Sequence, residues 1–186
     1  MSRTMKISVA LATYNGARYL REQLNSIAHQ TLLPFELVVS DDGSTDETLS
    51  LLREFARSAP FPVRILEKEK NLGFADNFLF CASRCQGDLI AFCDQDDVWL
   101  AEKLRIAHDR IIEDGSLLAI HKQTLVDGDL NRIGEWTQDI SCDEVVPPLA
   151  IDMIRGAWGN TLMIRSELIR DIPYRNRPRQ PEESHK

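Results

Sequence analysis

The chain alternates short, continuous apolar runs with stretches whose apolar residues recur at helical spacing. Residues 7–12 (Ile-Ser-Val-Ala-Leu-Ala) read as a buried strand, since a strand covered on both faces needs no polar alternation. Over 17–30, Tyr19, Leu20, Leu24 and Ile27 keep helical spacing with Arg18, Arg21, Glu22 and Gln23 between them, predicting an amphipathic helix. Residues 35–39 form a second strand, and Ser44 or Thr45 is a natural N-cap for a helix running to Ser58. A short strand follows at 61–66, a turn at Asn71-Leu72-Gly73, a helix over 74–84 and a fourth strand over 89–93. A helix over 100–113 and an apolar run at 117–120 complete the regular part. Beyond Asp127 the pattern weakens, with turns at Asp127-Gly128-Asp129 and Pro147-Pro148 and a late strand at 161–164 leading to Ser166 as a cap. Strand–helix repetition with continuous apolar strands predicts an α/β fold, a mainly parallel central sheet flanked by helices like a Rossmann nucleotide-binding half. One domain is expected over residues 1–172, with a polar, disordered tail over 173–186.

Composition narrows the function. Over 186 residues, 22 Lys+Arg against 29 Asp+Glu give a net charge of −7. That balance disfavours nucleic acid, whose binders need a basic patch. No apolar run approaches the roughly 20 residues of a membrane span, and no signal-peptide pattern opens the chain. The expected location is the cytoplasm, including peripheral association with the inner face of the membrane. The four cysteines (Cys81, Cys85, Cys93, Cys142) make no CxxC pair and read as buried thiols, and the four histidines (His29, His108, His121, His185) are scattered. Neither GxGxxG nor GxxxxGK[ST] is present, which disfavours dinucleotide and P-loop enzymes.

In an open parallel sheet, ligands bind beyond the carboxyl ends of the strands. The first strand runs into Thr13-Tyr14-Asn15-Gly16, the second into Asp41-Asp42-Gly43-Ser44 and the fourth into Asp94-Gln95-Asp96-Asp97. These loops bring five carboxylates to one edge, where they repel unless a cation or hydrogen-bond donors offset them. Oxygen ligands of this kind suit Mg2+ or Mn2+. If the last loop stays extended, Asp94 and Asp96 point to one side and Asp97 to the other. A cation held there would neutralise a diphosphate, and Tyr14 either offers a face to a nucleobase or packs as a half-buried strand residue. Asp42 would accept the base's imide N–H. The Asp94–Val98 stretch also fits the DxDx[TV] pattern of haloacid-dehalogenase-type phosphatases, in which the first Asp is a nucleophile. That motif normally follows the first strand, whereas here it follows the fourth.

Val9-Ala10-Leu11-Ala12-Thr13-Tyr14-Asn15, Gln30-Thr31, the run from Glu36 to Asp46, Asn71-Leu72-Gly73 and Phe92-Cys93-Asp94-Gln95-Asp96-Asp97-Val98-Trp99 together resemble the inverting family 2 glycosyltransferases of GT-A fold. The Asp-Gln-Asp-Asp-Val-Trp run is similar to that of bacterial enzymes adding rhamnose or related sugars to surface polysaccharides. The resemblance implies transfer from a UDP- or dTDP-sugar to a saccharide or lipid-linked saccharide acceptor, by metal-dependent inverting displacement. It puts Thr13, Tyr14, Asp42, Gly73, Asn77, Asp94 and Asp96 at the nucleotide sugar, with Tyr14 against the base, Asp42 bonded to it and Asp96 at the ribose. It assigns the metal (Mn2+ or Mg2+) to Asp96 and Asp97, and counting Asp94-x-Asp96 instead moves the ligand by one. Relatives place their carboxylate base after the segment matching 156–164; here only Glu182 and Glu183 follow, outside any matching context, so the catalytic residue is unassigned. The domain is therefore expected to be incomplete at its C-terminus, and a non-catalytic nucleotide-sugar-binding module is the alternative reading.

Overall fold

A computed structural model describes residues 5–68, 71–136, 145 and 159–170. The expected turn at Pro147-Pro148, Cys142, His185 and the 173–186 tail lie outside the described residues. The strands are β1 (Ile7–Thr13), β2 (Glu36–Asp41), β3 (Val63–Glu67), β4 (Leu89–Cys93), β5 (Leu118–Ile120), β6 (Gln123–Val126), β7 (Arg132–Trp136) and β8 (Leu162–Arg165). The helices are α1 (Leu20–Ala28), α2 (Thr48–Ala56), α3 (Phe74–Ser83), α4 (Lys103–Asp114) and the short α5 (Glu167–Arg170).

The main sheet has the order β3-β2-β1-β4-β8-β5. β3, β2, β1 and β4 are parallel, and β8 joins β4 and β5 antiparallel to both. Alternate residues of β1 serve opposite faces, as the two-residue period of a strand requires. Ile7, Val9 and Leu11 pack with Leu20, Leu24 and Ile27 of α1, Leu52 of α2 and Leu104 and Ile111 of α4. Ala10 and Ala12 pack with Phe78, Cys81 and Ala82 of α3 and Ile169 of α5. The sheet is thus covered on both faces, as its continuous apolar strands predict.

Several boundaries move for identifiable reasons. α1 begins at Leu20 rather than 17, because the Gly16 carbonyl accepts from the N–H groups of Tyr19 and Leu20 in a preceding turn. α2 begins at Thr48, and neither Ser44 nor Thr45 caps it; Asp46 Oδ1 accepts from the Thr48 N–H at 3.0 Å instead. α4 begins at Lys103, and the carbonyls of Leu100 and Ala101 before it accept from Gln30 Nε2 and the Thr31 N–H just past α1, at 2.8 and 2.9 Å. The β6–β7 hairpin went unforeseen beyond its Asp127 turn, since its Leu125, Val126 and Ile133 are exposed and show no inside-outside alternation. Among the described residues no helix is long and apolar enough to cross a membrane.

Candidate functional site

Strand order reverses between β1 and β4, so the crevice of this sheet opens beyond the ends of these two strands. Asp41 organises the first wall. Its Oδ2 accepts from Thr13 Oγ1 (2.8 Å) and Ser44 Oγ (2.6 Å), and its Oδ1 from the N–H groups of Gly43 (3.2 Å) and Ser44 (2.9 Å). Asn15, at φ +50°, donates its N–H to Ser44 Oγ and receives the Thr45 N–H on Oδ1. Ser44 and Thr45 therefore knit two strand-end loops together.

Asp42 is buried, and its N–H donates to the Thr13 carbonyl at 2.9 Å. Its carboxylate accepts from the N–H groups of Leu72 (2.8 Å) and Gly73 (2.9 Å) and from Lys68 Nζ (3.2 Å). Gly73, at φ +83°, turns the chain into α3 in a conformation L side chains rarely adopt. Asn77, also buried, donates Nδ2 to the Ser40 carbonyl at 3.0 Å and accepts from Lys68 Nζ on Oδ1. Of the five carboxylates expected to share a cation, Asp41 and Asp42 are thus offset by hydrogen-bond donors, which narrows the acidic set to Asp94, Asp96 and Asp97.

The loop after β4 bends at Gln95 and Asp96 rather than staying extended, so the simple alternation expected of its carboxylates does not hold. Burial first, then the charges of Asp97 and Asp96, push the Asp94 carboxyl up to about 7, against the pull of Lys103. Asp96 is exposed, yet desolvation and Asp97 raise it too. Asp97 Oδ2 accepts from Asn160 Nδ2 at 2.6 Å. Lys103 Nζ donates to the Asn160 carbonyl at 2.9 Å and lies 3.8 Å above the Trp99 ring. Burial pushes this ammonium down to about 8, while Cys93, Asp97 and Asp94 favour its charge. The predicted residues accordingly form two groups, Thr13, Asp42, Gly73 and Asn77 on one side and Asp94, Asp96 and Asp97 on the other. Tyr14, 51% exposed, stands between them.

Sequence reading missed Lys68, Gln95, Lys103 and Asn160, which act through contacts between distant segments. A lysine just past a strand, as Lys68 is, or at the start of a helix, as Lys103 is, carries no such signal by itself. The three described cysteines (Cys81, Cys85, Cys93) are free thiols, and burial raises all of them, Cys85 to about 12. His121, beside Lys103, is pushed by burial down to about 4.

Among the described residues no three His, Cys, Asp or Glu side chains are grouped to hold a metal ion. One or two carboxylates of the bent loop, with water and phosphate oxygens completing the shell, fit a Mg2+- or Mn2+-type ion that arrives with a diphosphate.

Residues 8–166 match Glycosyl transferase family 2. The dTDP-rhamnosyl transferase RfbG of Shigella flexneri is 36% identical over 106 residues, 55% of this chain and 37% of that protein. Among solved structures, S. aureus TarS in complex with UDP superposes with a TM-score of 0.74 at 30% identity, covering 90% of this chain and 48% of that one. The mannosyltransferase PcManGT from Pyrobaculum calidifontis, in complex with GDP-Man and Mn2+, gives a TM-score of 0.59 at 25% identity over 66% of this chain and 37% of that one. The chain spans less than half the length of each of these proteins.

Proposed function

The chain belongs to glycosyltransferase family 2, and on that premise we propose that it binds a UDP- or dTDP-sugar in the β1–β4 crevice and takes part in transferring the sugar to a saccharide. One observation carries this reading. An exposed aromatic face, Tyr14, and a loop of three clustered carboxylates, Asp94, Asp96 and Asp97, meet at the switch point of the sheet. Tyr14 would take the pyrimidine face. Asp42 holds three donors against about four acceptor positions on a carboxylate, which leaves one for the imide N–H that uracil and thymine share. Asp96 would meet the ribose, and Asp96 and Asp97 would hold the cation. When bound, the cation would offset charge on the departing nucleoside diphosphate. PcManGT with GDP-Man and Mn2+ supports a divalent ion, and TarS with UDP supports a uridine donor.

The proposed reaction is an inverting displacement, in which a carboxylate base takes the acceptor proton. RfbG, named a dTDP-rhamnosyl transferase, supports a dTDP-sugar as the other donor, and the acceptor in this proposal is a saccharide or lipid-linked saccharide of a surface polysaccharide, reached from the cytoplasmic face of the membrane. Calorimetric titration of the chain with UDP and dTDP, with and without Mn2+, tests the reading. Binding should require Mn2+ and be lost in Asp97→Ala. A folded chain that takes up neither nucleotide overturns it.

A further inference from the structure

We infer that Gln95 is a positioning residue: its side-chain amide holds the Tyr14 backbone and so fixes the aromatic face for the nucleobase. This rests on the donor-site reading above. The β1–β4 ladder pairs residues as far as Leu11 and Cys93, and there the two chains part. Beyond that point the Gln95 side chain takes the place of a neighbouring strand. Its Oε1 accepts from the Tyr14 N–H at 2.9 Å and its Nε2 donates to the Tyr14 carbonyl at 3.2 Å. One amide thus satisfies both backbone groups of Tyr14, as a ladder partner would. With half its surface exposed, the Tyr14 ring has little packing to set its place, so its position is determined mainly through this backbone.

A second observation is independent of those bonds. A Cβ built on Gly16 would collide with Gln95 Oε1 and Cδ, so only glycine there leaves the amide in its seat. The Gly16 N–H is itself fixed by Thr48 Oγ1 at 2.8 Å, which keeps the backbone from yielding.

The experiment compares two probes on the full chain. UDP with Mn2+ engages both the base platform and the acidic loop, whereas inorganic pyrophosphate with Mn2+ engages only the loop. Gln95→Ala is expected to weaken UDP about tenfold, the scale of one base–aromatic stack, and to leave pyrophosphate unchanged. Tyr14→Ala should lose the same amount, and the double variant no more than either. Gln95→Met keeps the length and the charge of the loop but can neither accept from nor donate to the Tyr14 backbone, so it should also weaken UDP selectively. Gly16→Ala should follow it. Equal losses for UDP and pyrophosphate, or additive losses in the double variant, overturn the inference. A folded wild-type chain that binds neither probe, or binding of both that survives Asp97→Ala, instead overturns the donor-site reading.

Discussion

Asp94 carries the largest electrostatic burden in the site. Burial, then Asp97 and Asp96, raise its carboxyl to about 7, above the roughly 3.9 of an unfolded aspartate. A raised acid favours the folded state fully below the unfolded value and loses that contribution as pH rises through the folded one. In chelator, the melting temperature of the wild type should therefore fall relative to Asp94→Asn between pH 5 and pH 8. A difference that stays flat over this range would refute the assignment. The comparison with Asn is needed because His121 works in the opposite sense: its lowered value removes stability as pH falls below about 6.5. At this scale the sequence was a partial guide. A run of acidic residues after an apolar strand announces a charged loop, whatever the fold. It does not announce which carboxylates already have donors, and Asp41 and Asp42 were counted with the rest although backbone N–H groups and hydroxyls hold them.

Elements were legible where burial alone decides them. β1, β2 and β4 are buried along their whole length and are visible from their apolar stretches, in β2 only Leu37-Val38-Val39. Helix starts were misread wherever a tertiary bond claims the group that would otherwise cap. Ser44 bonds Asp41 and Asn15 rather than a helix N-terminus, and Leu100 and Ala101 give their carbonyls to Gln30 and Thr31. The seating of α3 on β2 is a case of the same kind, set by Asn77 between the Ser40 carbonyl and Lys68. Asn77→Ala strips a buried carbonyl and a half-buried ammonium of a partner, and should lower unfolding free energy by about 1–3 kcal/mol. Urea denaturation measures it; an unchanged midpoint would mean that α3 is seated by Phe78 and Cys81 alone.

For the molecule as a whole, β1 is the axis, paired with β2 on one side and β4 on the other. Leu11, fully buried at the centre of the larger core, lies three residues from the exposed Tyr14. Leu11→Ala should cost about 2–5 kcal/mol by leaving a cavity under that loop, read as an earlier urea midpoint. The parallel half of the sheet was visible in the sequence, and the insertion of β8 between β4 and β5 was not. A four-residue strand of Leu-Met-Ile-Arg says nothing of which edge it will choose. That choice bears on synthesis. On a ribosome the parallel strands emerge in an order that lets β1, β2, β3 and β4 assemble as they appear, N-terminal part first. The outer edge of β4 then waits, and β5, whose ladder partner in the finished sheet is β8, waits with it. Until residue 165 has left the exit tunnel, the nascent chain displays an open, apolar strand edge, the kind of surface that pairs with other chains. The interval between the emergence of Cys93 and that of Arg165 is therefore the period in which this part of the chain is most open to pairing with another.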